Sequence, residues 1–162
     1  MLLEGAGHRP PLPDDPPSFR TPGDLQAQAD ASGRIPLATA VLGPSAGHGA
    51  LSAPLADFTV MTEQASIFTA GPPLVKASLG EDITKEELGG PEIALHSGVV
   101  QNLASNDESA LEQIRIWLSY LPSSAWQAPT RLADAEGERK VNELLEIIPE
   151  NPRQGYDMHD VI

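Results

Sequence analysis

The chain has 162 residues, enough for one domain with its own core, but 16 prolines, 14 glycines and only 4% aromatic residues leave that core to Ala, Leu, Ile and Val, interrupted by many turns. A net charge of −13 argues against nucleic acid and anionic membrane as partners, and any site for an anionic ligand must be locally positive or use backbone donors. Cysteine is absent, which excludes disulfides, thiolate nucleophiles and cysteine metal sites; no apolar run approaches the roughly 18 residues of a membrane span, and Met1-Leu2-Leu3-Glu4 is too short for a signal peptide, so the expected location is cytoplasmic.

Residues 1–3 read as the end of a strand, and Glu4-Gly5-Ala6-Gly7-His8-Arg9 as a glycine turn behind it. Pro10 to Gly23 holds six prolines and is expected as an irregular surface loop. Asp24 to Ser32 forms a short helix, capped by Asp24 and ended by Gly33. Arg34 to Leu42 is the apolar run of a buried strand, and Gly43-Pro44-Ser45-Ala46-Gly47-His48-Gly49-Ala50 is a small-residue loop after it. Gly49 to Leu55 then opens a tightly packed helix.

Asp57–Thr62 and Ala65–Thr69 predict two further strands. A second small-residue loop, Ala70-Gly71-Pro72-Pro73-Leu74-Val75-Lys76, places Pro72 and Pro73 at the start of a short helix, where missing N–H groups cost little. Thr84-Lys85-Glu86-Glu87 is a capping box, with Leu88-Gly89-Gly90 as the stop. Ser97 to Leu103 reads as a strand. Asn106 to Leu121 has the strongest helical period: Ala110, Leu111, Ile114, Trp117, Leu118 and Leu121 share one face, and Pro122 ends it. Beyond Ser123 the pattern changes. Trp126 to Pro129 is extended, Arg131 to Lys140 is polar, and Asn142 to Ile148 is a short helix closed by Pro149, together resembling a linker.

The order strand, glycine turn, helix start around Gly47-His48-Gly49 points free N–H groups from a positive helix end, which suits an oxyanion such as a thioester enolate. The competing reading is a tight turn needed only for strand–helix packing. His48 is a candidate base, because histidine is the side chain suited to proton transfer near neutral pH, though its backbone is the stronger candidate. His8, His96 and His159 are scattered without metal-ligand spacing, and no metal is expected.

The ordered set Gly43 to Gly49, Asp57-Phe58, Ala70 to Lys76, Gly80-Glu81-Asp82, Glu86 to Gly90, Ser97-Gly98-Val99, Ile147-Ile148-Pro149 and Tyr156-Asp157-Met158 resembles the carboxyltransferase subunits of biotin-dependent acyl-CoA carboxylases, in the crotonase-like superfamily. The resemblance runs over most of residues 34–162. It implies an α/β fold of the ClpP/crotonase ββα superhelix type, as an incomplete domain. Residues 1–122 would be part of an N-terminal carboxyltransferase domain, and residues 123–162 a linker towards a C-terminal one. The family has Gly-Gly-Ala where this chain has Gly47-His48-Gly49, a change that preserves backbone donors.

The implied reaction moves a carboxyl group from carboxybiotin to the α-carbon of a short acyl-CoA of the acetyl or propionyl type. By resemblance the N–H groups of Gly47, His48 and Gly49 stabilise the thioester oxyanion. Gly5, Ala6, Gly7 and Arg9 line the CoA site, with a solvated turn as the other reading; Gly71, Pro72 and Lys76 are further CoA contacts, with a solvent-facing Lys76 as the other reading. Biotin is carried on a partner, a biotin carboxylase or carrier subunit, and the full-length protein is expected as a homo-oligomer. Two alternatives stand beside this: a crotonase-like hydratase or decarboxylase of CoA thioesters, and a truncated, non-catalytic segment that acts with a partner.

Overall fold

A computed structural model of the chain describes residues 1–5, 13–14, 24–130 and 142–161. Ala6, Gly7, His8 and Arg9, most of the Pro10–Gly23 loop and the polar Arg131–Lys140 stretch lie outside the described residues. The chain gathers into two compact units, Met1–Pro129 and Thr130–Ile162.

The first unit runs β1 (Leu2–Gly5), α1 (Asp24–Ala31), β2 (Ala38–Ala46), a 3-10 helix (Gly47–Ser52), β3 (Phe58–Thr62), β4 (Ser66–Phe68), α2 (Pro72–Leu79), α3 (Lys85–Gly89), α4 (Pro91–His96), β5 (Asn102–Ala104) and α5 (Asp107–Ser119). The five strands form one parallel sheet in the order β1-β2-β3-β5, with β4 also paired to β2. Parallel strands need crossovers and cover on both faces. Residues of β2 and β3 accordingly alternate between two cores. Val41 and Met61 pack with Ala50 of the 3-10 helix, Ala53 just after it, Ile67 of β4 and Ala94 of α4. Ala40 and Val60 pack with Ala104 and Ala110, under α5.

β2 is the organising strand. Ala38–Val41 pair with Phe58–Met61 of β3, and Pro44–Ala46 pair with Ser66–Phe68 of β4, so the strand changes neighbour at Leu42-Gly43. On its other side, Leu3 pairs with Val41 and Gly5 with Ser45, so Glu4 alone stands opposite Leu42-Gly43-Pro44. This bulge lets Pro44, which has no N–H to give, sit inside a strand. The Glu4 side chain covers the bulge: a Cβ on Gly43 would lie 2.9 Å from Glu4 Cγ.

Four sequence expectations are corrected. The buried strand starts at Ala38 rather than Arg34 and runs through Gly43 to Ala46, so the small-residue segment is not a loop until Gly47. The helix expected from Gly49 is a 3-10 helix from Gly47 to Ser52. The strand expected over Ser97–Leu103 is only Asn102–Ala104 and follows α4, whose N-terminus is set by Pro91. Trp126 is not extended but lies in a turn, where the Gln127 N–H donates to the Ser124 carbonyl at 3.0 Å.

The predicted capping box forms. The Glu87 N–H donates to Thr84 Oγ1 (3.2 Å), and the Thr84 N–H and hydroxyl donate to Glu87 Oε2 (2.9 and 2.8 Å). These hydrogen bonds, the backbone one foremost, hold the Glu87 carboxyl below its ordinary range. A carboxyl with a lowered folded-state pKa adds stability above its unfolded value and loses it as pH falls through the folded one. The unfolding midpoints of the native chain and Glu87→Gln are therefore expected to converge as pH drops from about 6 to about 3; a constant gap would show that the carboxylate adds nothing.

α5 is capped by Asn106, whose Oδ1 accepts from the Ser109 N–H at 2.8 Å. Its Ala110 is fully buried and Trp117 stacks on Phe58 with ring centroids 5.4 Å apart, whereas Leu118 and Leu121 of the predicted apolar face remain exposed. In the second unit α6 (Leu144–Ile147) is followed by a 3-10 helix, Met158–Asp160. Asp157 caps the latter by accepting from the His159 N–H at 2.8 Å. No helix among the described residues is long and apolar enough to cross a membrane.

Candidate active site

The parallel strands β1, β2 and β4 end side by side at Gly5, Ala46 and Phe68. In open parallel sheets the carboxyl ends of the strands are where ligands are held. Here the chain turns abruptly at Gly47, whose φ of +70° is in the left-handed region that favours glycine. The residue before it, Ala46, is extended and has no side-chain acceptor to cap the helix that follows. In a 3-10 helix the N–H bonds three residues back. The N–H groups of Gly47 and His48 thus have no acceptor within the helix, while that of Gly49 is the first in sequence able to turn back to Ala46.

Two clefts flank this turn. The larger, about 690 Å³, is lined by Pro44, Ala46 and Gly47 on one wall and by Phe68, Gly71, Pro72, Leu74, Ile83, Thr84 and Lys85 on the others. It is mostly apolar. Gly71 packs closely, since a Cβ there would come within 3.4 Å of the Phe68 ring. Pro72 and Pro73 occupy the first helical positions of α2, so this helix end offers few donors and serves as an apolar wall. The smaller cleft, about 290 Å³, lies between β1 and the 3-10 helix and is lined by Leu2, Leu3, Glu4, Gly5, Ser45, Ala46, His48 and Gly49.

The structure therefore brings together most of the described site residues expected from sequence. Gly47, Gly71 and Pro72 line the larger cleft, His48, Gly49 and Gly5 the smaller, and Ala46 belongs to both. Lys76 stands apart: it lies on α2 outside both linings, and its Nζ donates to Asp82 Oδ1 at 2.5 Å. The cation in the larger cleft is instead Lys85, at the first position of α3, with only a loose contact to Glu86 (3.6 Å). In the sequence Lys85 belongs to a capping box alone. The turn that follows Lys76 and returns α3 over Phe68 is a tertiary event that no local pattern displays. Among the described residues, no group of three His, Cys, Asp or Glu side chains is gathered so as to hold a metal ion.

Residues 18–162 match the family described as carboxyl transferase domain. Among curated proteins the chain is 41% identical, over 85% of its length, to the carboxyltransferase subunit of propionyl-CoA carboxylase from Haloferax mediterranei, covering 27% of that protein. It is also 41% identical, over 82% of its length, to the mitochondrial beta chain of propionyl-CoA carboxylase from Homo sapiens, covering 25% of it. The chain thus spans about a quarter of the length of these relatives. Among solved structures it resembles transcarboxylase 12S, a hexamer seen with hydrolysed methylmalonyl-coenzyme A bound, with a TM-score of 0.64 and 33% identity over 85% of this chain and 27% of that one.

Proposed function

The chain belongs to the carboxyl transferase domain family, as part of a crotonase-like carboxyltransferase domain of a beta-type subunit, and from that premise we propose that it binds the acyl-CoA in a biotin-dependent acyl-CoA carboxylase. The observation that carries this reading is the Gly47 turn at the carboxyl ends of β2 and β4, where the 3-10 helix starts without a side-chain cap, with an apolar cleft on one side of it.

The intact protein would transfer a carboxyl group to the α-carbon of a short-chain acyl-CoA of the acetyl or propionyl type. Biotin, borne by a carrier or biotin carboxylase partner, supplies that carboxyl group. The residues of this chain fit the other half of the reaction, because donors beside apolar walls suit a thioester and its developing enolate. The thioester oxygen sits against the N–H groups of Gly47 and His48, with Gly49 completing the turn, and gains most from them when charge develops on it. Phe68, Pro72 and Leu74 exclude water from the bound CoA arm, and the Lys85 ammonium faces its anionic end. Gly5 borders the opposite cleft. Residues 1–122 then form the acyl-CoA part of an N-terminal domain, and residues 123–162 lead towards a C-terminal one. A homo-oligomer and a cytoplasmic setting belong to the same proposal.

The test is a melt of the purified chain with and without propionyl-CoA. A ligand held only by the folded state, at 100 times its dissociation constant, adds about 2.7 kcal/mol and raises the midpoint. Lys85→Ala is expected to shrink that shift and to make it less sensitive to salt, whereas Lys76→Ala leaves it unchanged. No shift in the native chain would refute an acyl-CoA site here; equal effects of the two lysine changes would refute the assignment of Lys85.

A further inference from the structure

His48 is the one side chain of the Gly47-His48-Gly49 turn, and it lines the smaller of the two clefts. We infer that His48 closes the far end of the acyl pocket and so sets the length of acyl group that the site accepts; this rests on the acyl-CoA reading above.

The two substituents of a thioester carbonyl carbon diverge, so an oxygen held at the Gly47–His48 N–H groups sends the sulfur arm to one side of the turn and the acyl chain to the other. The clefts differ in what they suit. The larger, at about 690 Å³, is apolar and carries the Lys85 ammonium, which fits a long arm ending in phosphates. The smaller, at about 290 Å³, carries the Glu4 carboxylate, which repels phosphate. The acyl group therefore belongs in the smaller one.

The walls of that cleft are fixed by the sheet. Leu3 and Ser45 are buried, and β1 is pinned to β2 on both sides of the bulge. Gly5 and Gly49 add no side chain. Leu2 and Glu4 are exposed walls carried by β1, Glu4 covering the bulge; His48 is exposed and projects from a 3-10 helix instead, so a substitution there changes the size of a wall without disturbing the sheet or a core. An imidazole here leaves room for a short chain and meets a longer one.

Affinities of the purified chain for acetyl-, propionyl-, butyryl- and hexanoyl-CoA, measured by calorimetry, test this. The native chain is expected to bind hexanoyl-CoA no better than propionyl-CoA. His48→Ala keeps the backbone donor and opens the cleft, and is expected to prefer hexanoyl-CoA by ten-fold or more. That follows from about four-fold per added methylene, at ~0.8 kcal/mol for each one buried. His48→Phe narrows the cleft and is expected to weaken propionyl-CoA more than acetyl-CoA, which keeps the proposal testable even where one variant fails to fold. An unchanged length profile in both variants, with CoA esters still bound, overturns the role of His48 alone. Failure of the native chain to bind any of the four esters overturns the acyl-CoA reading and this inference with it.

Discussion

Gly89→Ala is expected to lower the stability of the chain by about 3 kcal/mol or more, or to prevent cooperative unfolding altogether. Helix propensity alone predicts the reverse, since alanine is favoured over glycine within a helix by roughly 0.5–1 kcal/mol. The close approach of α3 to the sheet decides the sign. A Cβ at Gly89 would lie 1.9 Å from the Ile67 carbonyl oxygen and 2.9 Å from its carbonyl carbon, both backbone atoms of β4. No rotamer change relieves such a contact; α3 or β4 has to move. Because α3 and its cap bring Lys85 and Thr84 to the larger cleft and β4 supplies Phe68, the site moves with it. Gly49→Ala is the matching control: its added Cβ meets only Ser45 Oγ, at 4.0 Å. Urea unfolding of the three chains checks the prediction. A stabilised Gly89→Ala chain would show that α3 does not rest on β4.

If the proposed acyl-CoA site is right, His48→Pro leaves folding nearly intact while lowering carboxylation by about 10²- to 10³-fold, the usual cost of one oxyanion donor. Position 48 is the second residue of the 3-10 helix, where the N–H has no acceptor within the helix and the fixed φ of proline is tolerated. The substitution thus deletes a donor whose absence the fold does not register. The measurement is the turnover of short-chain acyl-CoA by the assembled carboxylase carrying the change in this segment. His48→Ala is run beside it, because it removes the same ring and keeps the N–H. A proline variant as active as the alanine variant would exclude the His48 N–H from the chemistry.

Much of the fold is legible in the sequence because its signals are local. Thr84 and Glu87 announce the start of α3, Pro72 and Pro73 that of α2, and the spacing of Ala110, Ile114 and Trp117 marks α5. What sequence reading misses is set by partners distant along the chain. Pro44 argues against a central strand, yet β2 passes through it because the bulge opposite Glu4 leaves that position without a β1 partner. β5 is three residues long, too short to separate from the turn before it, and it is fixed by pairing with Val60–Thr62. The site divides in the same way. Gly47 is visible as a small residue in a small-residue run, and its left-handed φ agrees with that reading. Lys85 enters the cleft only through the packing of α3 on β4.

The bulge opposite Glu4 bears on how this segment tolerates change over evolutionary time. β2 delivers the Gly47 turn to its place by a count of residues fixed on two sides: Val41 against Leu3 and Met61 below, Ser45 against Gly5 of β1 and Pro44–Ala46 against β4 above. Deleting one residue between Leu42 and Pro44 would draw the turn back by about 3.3 Å and send each later side chain of the strand to the opposite face. Substitutions that keep residues small and apolar are absorbed far more easily than any change in number. The spacing from Val41 to Gly47 is therefore as strict a requirement of the fold as the glycine at its end, whose φ of +70° other residues rarely adopt.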